Sequence, residues 1–350
     1  MNRHLGRAAL ALCSIVALAA CSTGTTGDSS GSRPDVVDAT IDKSGDLAGK
    51  RVLYVDAVPG NAILDGIAQG LANELNAEGA EMVRVFQINA QNTLDLAAGA
   101  QRVNEGIAQD VDAIIAFPLD VNAFRPGVKA ANEAGIPIFI FQDLAGLDVT
   151  GKVAFPDQAR GKETGLALAE VAGGEGTATV LSGVPTDNIE KAVAGAIDGL
   201  EEGGMKIVGD PNNQRNLKDD APEAQRIAQA IFQKYPDLSA LLVYNSASAT
   251  GAIAAAKQAG LEGKVKIGNM SGEDVNISQV KDGKLAVNFD FDGPAYGKVM
   301  SELVIRALSG EKLDNEVVDA PLADVYNEDN AADYVPWTER LTYVKIPSSY

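Results

Sequence analysis

The chain repeats one pattern of apolar and polar positions: a short apolar run, a loop, and apolar residues spaced for a helix. The first clear example begins with the apolar run 52–55 and continues through a loop that contains Pro59 and Gly60. Apolar residues then recur at every fourth position from Ile63 to Leu75. The continuous run predicts a strand buried on both faces, and the fourfold spacing predicts an amphipathic helix.

This unit of strand and helix recurs along the chain. Regular alternation of buried strands and helices predicts parallel sheets covered by helices, and two successive series predict two similar lobes. We therefore predict an α/β fold with two doubly wound parallel-sheet lobes. Strands of the first series are predicted near 82–88, 112–116 and 136–141 and helices near 93–109 and 121–134; strands of the second near 152–155, 177–182, 205–209, 240–244 and 264–268 and helices near 158–172, 187–202, 220–235 and 248–259.

The chain continues beyond these two series. A helix is predicted near 273–282 and a strand near 285–289. A strand so late in the chain suggests that the chain crosses back to the first lobe. We expect the first lobe to comprise 50–150 and about 291–318, and the second lobe and tail to comprise 151–290 and about 319–350.

The first 49 residues have a different character. A basic start precedes an apolar stretch, 8–20, which is shorter than the roughly 20 residues needed to span a bilayer. The letters LAAC, which end at Cys21, resemble the bacterial lipobox, in which the cysteine is acylated and the preceding bond is cut. The pattern predicts a lipoprotein signal peptide at 1–20, and a lipidated Cys21 with a flexible Ser- and Gly-rich tether at 21–49. An ordinary signal peptide with a chance cysteine is the alternative.

Cleavage before Cys21 would change which chemistry the chain can perform. His4 and Cys13 would leave with the signal peptide, and Cys21 would carry lipid. The mature chain would then lack the groups for Ser-His or Cys-His catalysis, disulfides and histidine metal sites. Loss of Arg3 and Arg7 would leave 27 basic and 48 acidic residues, so the net charge would be −21 in place of −19. Such an acidic chain repels nucleic acid, and we expect no nucleic-acid partner.

Motifs for cofactor chemistry are missing from the sequence. The first strand is not followed by G-x-G-x-x-G, G-x-x-x-x-G-K-[ST] does not occur, and the one G-x-S-x-G, at 27–31, lies outside any predicted strand-to-helix turn. The acidic pairs Asp219-Asp220 and Glu328-Asp329 lack the spacing of an EF-hand loop and are interpreted as solvated surface. We therefore predict no cofactor, no metal and no catalytic residue.

Three passages together are distinctive. The passage 265–286 contains a strand, a turn, a helix and the letters DGKL before the next strand, while AGIPI stands at 134–138 and LLVYN at 241–245. In this order they resemble the type I periplasmic sugar-binding proteins, the ribose-binding-like receptors of ABC importers, and the likeness runs from about Arg51 to Tyr326. The resemblance implies the periplasmic binding protein-like I fold, with a hinge of three crossings and a sugar between the lobes.

The ligand is expected at the carboxyl ends of the strands, where open α/β sheets bind ligands in general. Polyols need many planar hydrogen-bonding side chains, because an unpaired buried polar group costs about 1–3 kcal/mol. The family pattern carries ligand-binding asparagines to this chain, places Gln142 and Asp143 where the family has an Asp-Arg pair, and leaves phenylalanines for stacking. The candidate ligand-binding residues are Asn61, Asn92, Phe117, Gln142, Asp143, Phe155, Asn245 and Asp290, with plain helix caps or core residues as the alternative for each.

Several positions depart from the family pattern. The expected aromatic pair is replaced by Ile63 and Leu64, an expected Arg falls on Ala196, an expected Asp is Met270, and a hinge Gln aligns with Phe291. A pocket that keeps amides, loses arginines and gains carboxylates suits a neutral sugar or polyol and leaves a cationic or amine ligand open.

Together these features predict an extracytoplasmic substrate-binding lipoprotein, anchored to the cell membrane through Cys21, that is not an enzyme. It would capture a small neutral solute by hinge closure and deliver it to an ABC permease in the membrane. Two alternatives remain at this point: a lipid-anchored glycoside hydrolase that uses carboxylates, and a ligand sensor for a signalling receptor.

Overall fold

The computed structural model describes residues 36–348, so the signal peptide and Cys21 lie outside the described residues. In chain order the strands and helices are β1 (Val37–Asp38), β2 (Arg51–Asp56), α1 (Ala62–Ala77), β3 (Glu81–Phe86), α2 (Ala98–Ala108), β4 (Ala113–Ala116), α3 (Val121–Ala134), β5 (Ile138–Phe141), β6 (Gly151–Ala154), α4 (Asp157–Val171), β7 (Thr177–Leu181), α5 (Asp187–Glu202), β8 (Lys206–Ile207), α6 (Ala221–Lys234), β9 (Leu238–Val243), α7 (Ser246–Ala259), β10 (Lys266–Gly272), α8 (Asp274–Lys281), β11 (Val287–Asp290), α9 (Gly293–Leu308), β12 (Glu316–Asp319), β13 (Val325–Asn327), α10 (Trp337–Arg340) and β14 (Val344–Lys345).

The first lobe is built on six parallel strands in the order β3-β2-β4-β5-β6-β12. Alternate residues of β2 enter two different cores. Tyr54 packs with α1 and α9 on one face, and Val55 packs with α2 and α3 on the other. Because both faces are covered, these strands are apolar along their whole length, which is the pattern that their sequences show.

The second lobe has the strand order β8-β7-β9-β10-β11-β13, in which only β13 runs antiparallel to its neighbour. Helices α6 and α7 cover one face, and α4 and α5 cover the other. Helices α4 and α5 pack backbone to backbone: a Cβ atom at Gly195 would lie 2.0 Å from the carbonyl oxygen of Gln158, and one at Gly161 would lie 2.0 Å from that of Ala192.

The chain crosses between the lobes after β6, after β11 and after β12, so the predicted α/β class with two lobes and three crossings is confirmed. One strand lies in a different lobe from the one predicted. The run predicted at 152–155 was expected to open the second lobe, but β6 pairs with β5 and β12 in the first sheet. The loop 142–150 returns the chain to the same sheet without a helix, and an apolar run by itself does not specify its sheet.

The carboxyl-terminal tail also departs from the predicted boundaries, which placed it with the second lobe. It starts there, where the Tyr334 hydroxyl donates to Asp274, and then returns to the first lobe. The main-chain N–H and carbonyl of Val344 pair with the side chain of Gln69 in α1 at 2.8 and 2.9 Å. Strand β14 pairs with β1 beside this contact. The tail is therefore a fourth connection between the lobes.

Between residues 36 and 348, none of the helices is long and apolar enough to cross a membrane. The same residues contain no group of three or more Asp, Glu, His or Cys side chains that could hold a metal ion.

Candidate functional site

Aromatic side chains meet where the chain first crosses between the lobes. The ring of Phe155 lies 4.9 Å from that of Tyr296, 5.7 Å from that of Phe291 and 5.9 Å from that of Phe117, measured between centroids. Phe117 is 9% exposed and belongs to the first-lobe core, which matches the alternative reading of that residue. Phe155 is half-buried on the crossing itself, so it is the better placed of the two to contact a ligand.

Two of the predicted asparagines begin helices at the carboxyl ends of strands, one in each lobe. Asn61 is exposed and precedes α1, and its Oδ1 accepts a hydrogen bond from Leu64 N at 3.1 Å. Asn245 lies two residues beyond the end of β9 and accepts from Ser248 N at 2.9 Å. The N-cap uses only the side-chain oxygen of Asn61. The amide nitrogen has no hydrogen-bond partner among the described residues, so it can donate to a ligand.

The other first-lobe candidates lie in loops with strained backbone. Asn92 and Gln142 have φ values of 58° and 73°, in the left-handed region that few non-glycine residues adopt. Asn92 is exposed, whereas the main-chain N–H of Gln142 is held 2.8 Å from Val153 O. Asp143 is exposed and lies 3.4 Å from the Nζ of buried Lys152.

Asp290 ends β11 at the second crossing and is buried. Its two oxygens already accept hydrogen bonds from the tail, at 3.0 Å from Trp337 Nε1 and at 2.6 Å from Arg340 Nη2. Burial raises the pKa of Asp290 to about 6, although the charge and hydrogen bonds of Arg340 oppose that shift. These contacts assign Asp290 to the hinge, and we do not retain it among the proposed ligand contacts.

Two arginines lie at the carboxyl edge of the second sheet, although the family pattern predicted a loss of arginines from the pocket. Arg160, in the first turn of α4, donates to Asp157 at 3.0 Å and to the carbonyl of Met270, and its guanidinium lies 5.6 Å from the centre of the Phe291 ring. Burial raises the pKa of Asp157, and the charge of Arg160 opposes the shift. Sequence periodicity gave no signal for the role of Arg160, because Met270 and Phe291 are distant from it in the chain.

The second arginine, Arg215, lies in the loop before α6 and forms a parallel bridge with Ser182, the residue that follows β7. It donates to the carbonyl of Gly183 at 3.1 Å, and its Nη1 lies 2.7 Å from the Glu190 carboxylate. Nearby Lys191 is likewise 2.7 Å from Asp187. Each of the cations described at this edge therefore has a carboxylate partner in its own lobe.

Asp219 is exposed, as expected for the solvated surface predicted at Asp219-Asp220, and it lies beside the candidate residue Asn245. Asp220 caps α6 by accepting from Glu223 N at 2.7 Å. Asp219 accepts hydrogen bonds from the Tyr244 hydroxyl and from Asn245 Nδ2, the second at 2.6 Å. An acidic pair before Ala-Pro is a helix-start signal that the sequence did contain.

The fold and the polar strand ends define a two-lobe binding protein. The chain belongs to the periplasmic binding protein domain family, whose model matches residues 57–312. It is similar to the D-ribose/D-allose-binding protein of Pseudomonas aeruginosa (26% identity over 262 residues, 72% of this chain and 81% of the relative) and to the ribose import binding protein of Bacillus subtilis (23% identity, 75% and 82%).

Solved structures agree with this fold. A periplasmic solute-binding protein of an ABC transporter from Actinobacillus succinogenes, solved with D-allose, superposes with a TM-score of 0.70 at 24% identity, and the alignment covers 81% of this chain and 100% of that one. The family is one of binding proteins. The tail lies beyond the residues that the family model matches.

Proposed function

We propose that this protein is the extracytoplasmic substrate-binding component of an ABC importer. It captures a neutral sugar or polyol between its lobes by hinge closure and delivers it to a membrane permease. Closure requires ligand contacts from both lobes, because a ligand shifts a conformational equilibrium only by its differential affinity for the two states.

The pairing of charges at the strand ends supports a neutral ligand. Four cations at the strand ends lie within hydrogen-bonding or ion-pair distance of a carboxylate of their own lobe: Arg160, Arg215, Lys152 and Lys191. An anionic ligand would have to compete with these carboxylates for the same cations. Amides, which both donate and accept hydrogen bonds, suit hydroxyl groups. The proposed ligand contacts are Asn61, Asn92, Gln142, Asp143, Phe155 and Asn245.

Ligand screening tests this function. Ribose, allose, xylose and xylitol would be compared with a sugar acid and an amino sugar in thermal-shift and calorimetric titrations. A neutral ligand at 100 times its Kd should stabilise the protein by about 2.7 kcal/mol, and the charged analogues should not. Binding of the sugar acid alone would contradict the neutral-ligand proposal, and turnover of a glycoside would favour the hydrolase alternative instead.

We also propose that Cys21 carries the lipid anchor. Cys21→Ser should carry no covalent lipid in mass spectrometry and should keep residues 1–20, because the preceding bond is cut only after the cysteine is acylated. Cys13→Ser, inside the signal peptide, is the matched control and should remain in the membrane fraction. A wild-type protein whose Cys21 carries no covalent lipid, or a Cys21→Ser protein that is still cut before residue 21, would overturn the assignment.

A further inference from the structure

Asp219 stands beside the proposed ligand contact Asn245 and has an unusual backbone conformation. Its φ is 55°, in the left-handed region that Asn and Asp tolerate better than most other residues with a side chain. Its Oδ1 accepts from both the Tyr244 hydroxyl and Asn245 Nδ2. Burial and the neighbouring carboxylate raise the pKa of Tyr244, so this hydroxyl remains protonated and donating. Two neighbours therefore hold the carboxylate in one orientation.

The second oxygen of Asp219 is free. Oδ2 has no hydrogen-bond donor within residues 36–348, and in the same part of the chain no cationic side chain lies within 4.0 Å of the carboxylate. The adjacent Asp220 already caps α6, so Asp219 is not needed for that purpose. A carboxylate that is oriented but only half satisfied can accept a further donor.

The packing around Gly183 sets the position of this carboxylate. Gly183 follows β7 and Tyr244 follows β9, and these two strands are neighbours in the sheet. A Cβ atom at Gly183 would lie 2.5 Å from the Tyr244 ring, so glycine allows the ring to lie across the end of β7. Tyr244 and its partner Asp219 consequently stand at the carboxyl edge of the second sheet, where ligands of open α/β sheets bind.

From this geometry we infer that Asp219 Oδ2 accepts a hydrogen bond from one hydroxyl group of the bound sugar or polyol, and that Tyr244 positions the carboxylate for this contact. Arg215, in the loop before α6, is matched by Glu190 and does not compensate Asp219. Asp219 is exposed in this structure, and hinge closure around a ligand would exclude water from it. Asp219 then determines specificity, because in the closed site a ligand without that hydroxyl leaves the charged acceptor unpaired. The inference rests on the proposed function and identifies a second-lobe contact for it.

The test uses Asp219→Asn, with Asp220→Asn as the matched control. Asn tolerates the left-handed backbone and can still accept from Tyr244, but it removes the anionic acceptor. Asn caps a helix as well as Asp does, so the control makes the same change of charge one residue away. For the neutral sugar that binds the wild type, we expect Kd to rise at least about tenfold in Asp219→Asn and less than about twofold in Asp220→Asn.

A series of monodeoxy derivatives of that sugar separates a ligand contact from a structural effect. One derivative should bind the wild type at least about tenfold more weakly than the parent sugar, and this difference should vanish in Asp219→Asn. Tyr244→Phe should weaken binding by about threefold, because Asp219 loses one of its two orienting donors.

The outcomes distinguish this inference from the proposed function. A wild-type protein that binds no sugar or polyol overturns both. Sugar binding that is unchanged in Asp219→Asn, or a loss that is equal for every deoxy derivative, overturns the inference alone. So does an amino sugar whose amine proves to be the group that depends on Asp219.

Discussion

At the scale of single residues, the carboxyl group of Asp290 has an unusual pKa for a residue in the hinge. Burial raises its pKa to about 6, while Arg340 and Trp337 in the tail oppose the shift and Asp292 adds to it. An unfolded Asp titrates near about 3.9. Between these two values the folded protein holds a proton that the unfolded chain has released. The stabilisation linked to this proton is complete below about pH 4 and is lost as the pH rises through 6.

We therefore expect Asp290→Asn to change how stability depends on pH. The free energy of unfolding of the wild type minus that of the variant should be largest at pH 4 and fall by about 3 kcal/mol by pH 7. Urea titrations at pH 4, 5, 6 and 7 measure this difference. Glu302→Gln, at an exposed position of α9, is the control and should not reproduce the slope. A difference that grows with pH would show that the ion pair with Arg340 outweighs burial.

The sequence predicted some site residues better than others, for physical reasons. The positions of Asn61 and Asn245 at helix starts could be predicted, because a polar residue between a strand and a helix marks a sheet edge in any α/β chain. Arg160 could not, since its role depends on Met270 and Phe291, which are far away in sequence. Asp290 was predicted as a ligand contact, but its oxygens accept hydrogen bonds from Trp337 and Arg340 of the tail, which lies outside the family pattern.

At the scale of elements, glycines in α4 and α5 permit an unusually close helix pair. The Cβ positions of Gly195 and Gly199 lie 2.0 and 2.1 Å from carbonyl oxygens of α4, so no side chain fits there without movement. Backbone contacts of this kind leave little freedom for the two helices to separate. We expect this pair to act as a rigid support for the sheet that carries Tyr244 and Asn245.

Gly195→Ala should destabilise the protein by about 1–3 kcal/mol, because the added methyl group pushes α5 away from α4. The higher helix propensity of alanine offsets only up to about 1 kcal/mol of this loss. Thermal and urea unfolding measure the change. Exposed Ala194 on the same helix provides the control, where Ala194→Ser should stay within about 0.5 kcal/mol of the wild type. An unchanged midpoint for Gly195→Ala would mean that the helices separate at little cost.

The order of elements was largely predictable, whereas the lobe to which each belongs was less so. The spacing of apolar residues located nearly every strand and helix, because burial on one or two faces requires apolar residues at regular positions in the sequence. It did not reveal that β6 remains in the first sheet or that β14 returns to it. Both assignments depend on main-chain pairing, which is nearly independent of side-chain type.

At the scale of the whole molecule, the tail ties the two lobes together at the hinge. Arg340 lies 2.6 Å from Asp290 and 2.8 Å from Asp292, on the second crossing, and Trp337 is buried against α1 at Gly66. A rotation of one lobe relative to the other must move these contacts or turn about them. The tail is therefore part of the hinge and restrains how one lobe can rotate relative to the other.

Arg340→Met should destabilise the protein by about 2–4 kcal/mol, because it leaves the buried Asp290 without its cation. It should also broaden the distribution of distances between fluorophores placed on the two lobes, since one restraint on the hinge is lost. Single-molecule energy transfer without ligand measures this distribution. Arg226→Met removes an exposed ion pair with Glu223 on α6 and serves as the control. A narrow, unchanged distribution of distances in Arg340→Met would show that the tail does not restrain the hinge.

The pairing of β1 with β14 has a practical consequence for sensors made from this protein. Val37 and Val344 are neighbours in one small sheet on the first lobe, so both ends of the described chain move with the same lobe. Fluorescent proteins fused to the two termini would keep a fixed separation while the hinge turned and would report nothing. An insertion in an exposed loop of the second lobe, such as 261–264 between α7 and β10, would convert closure into a signal.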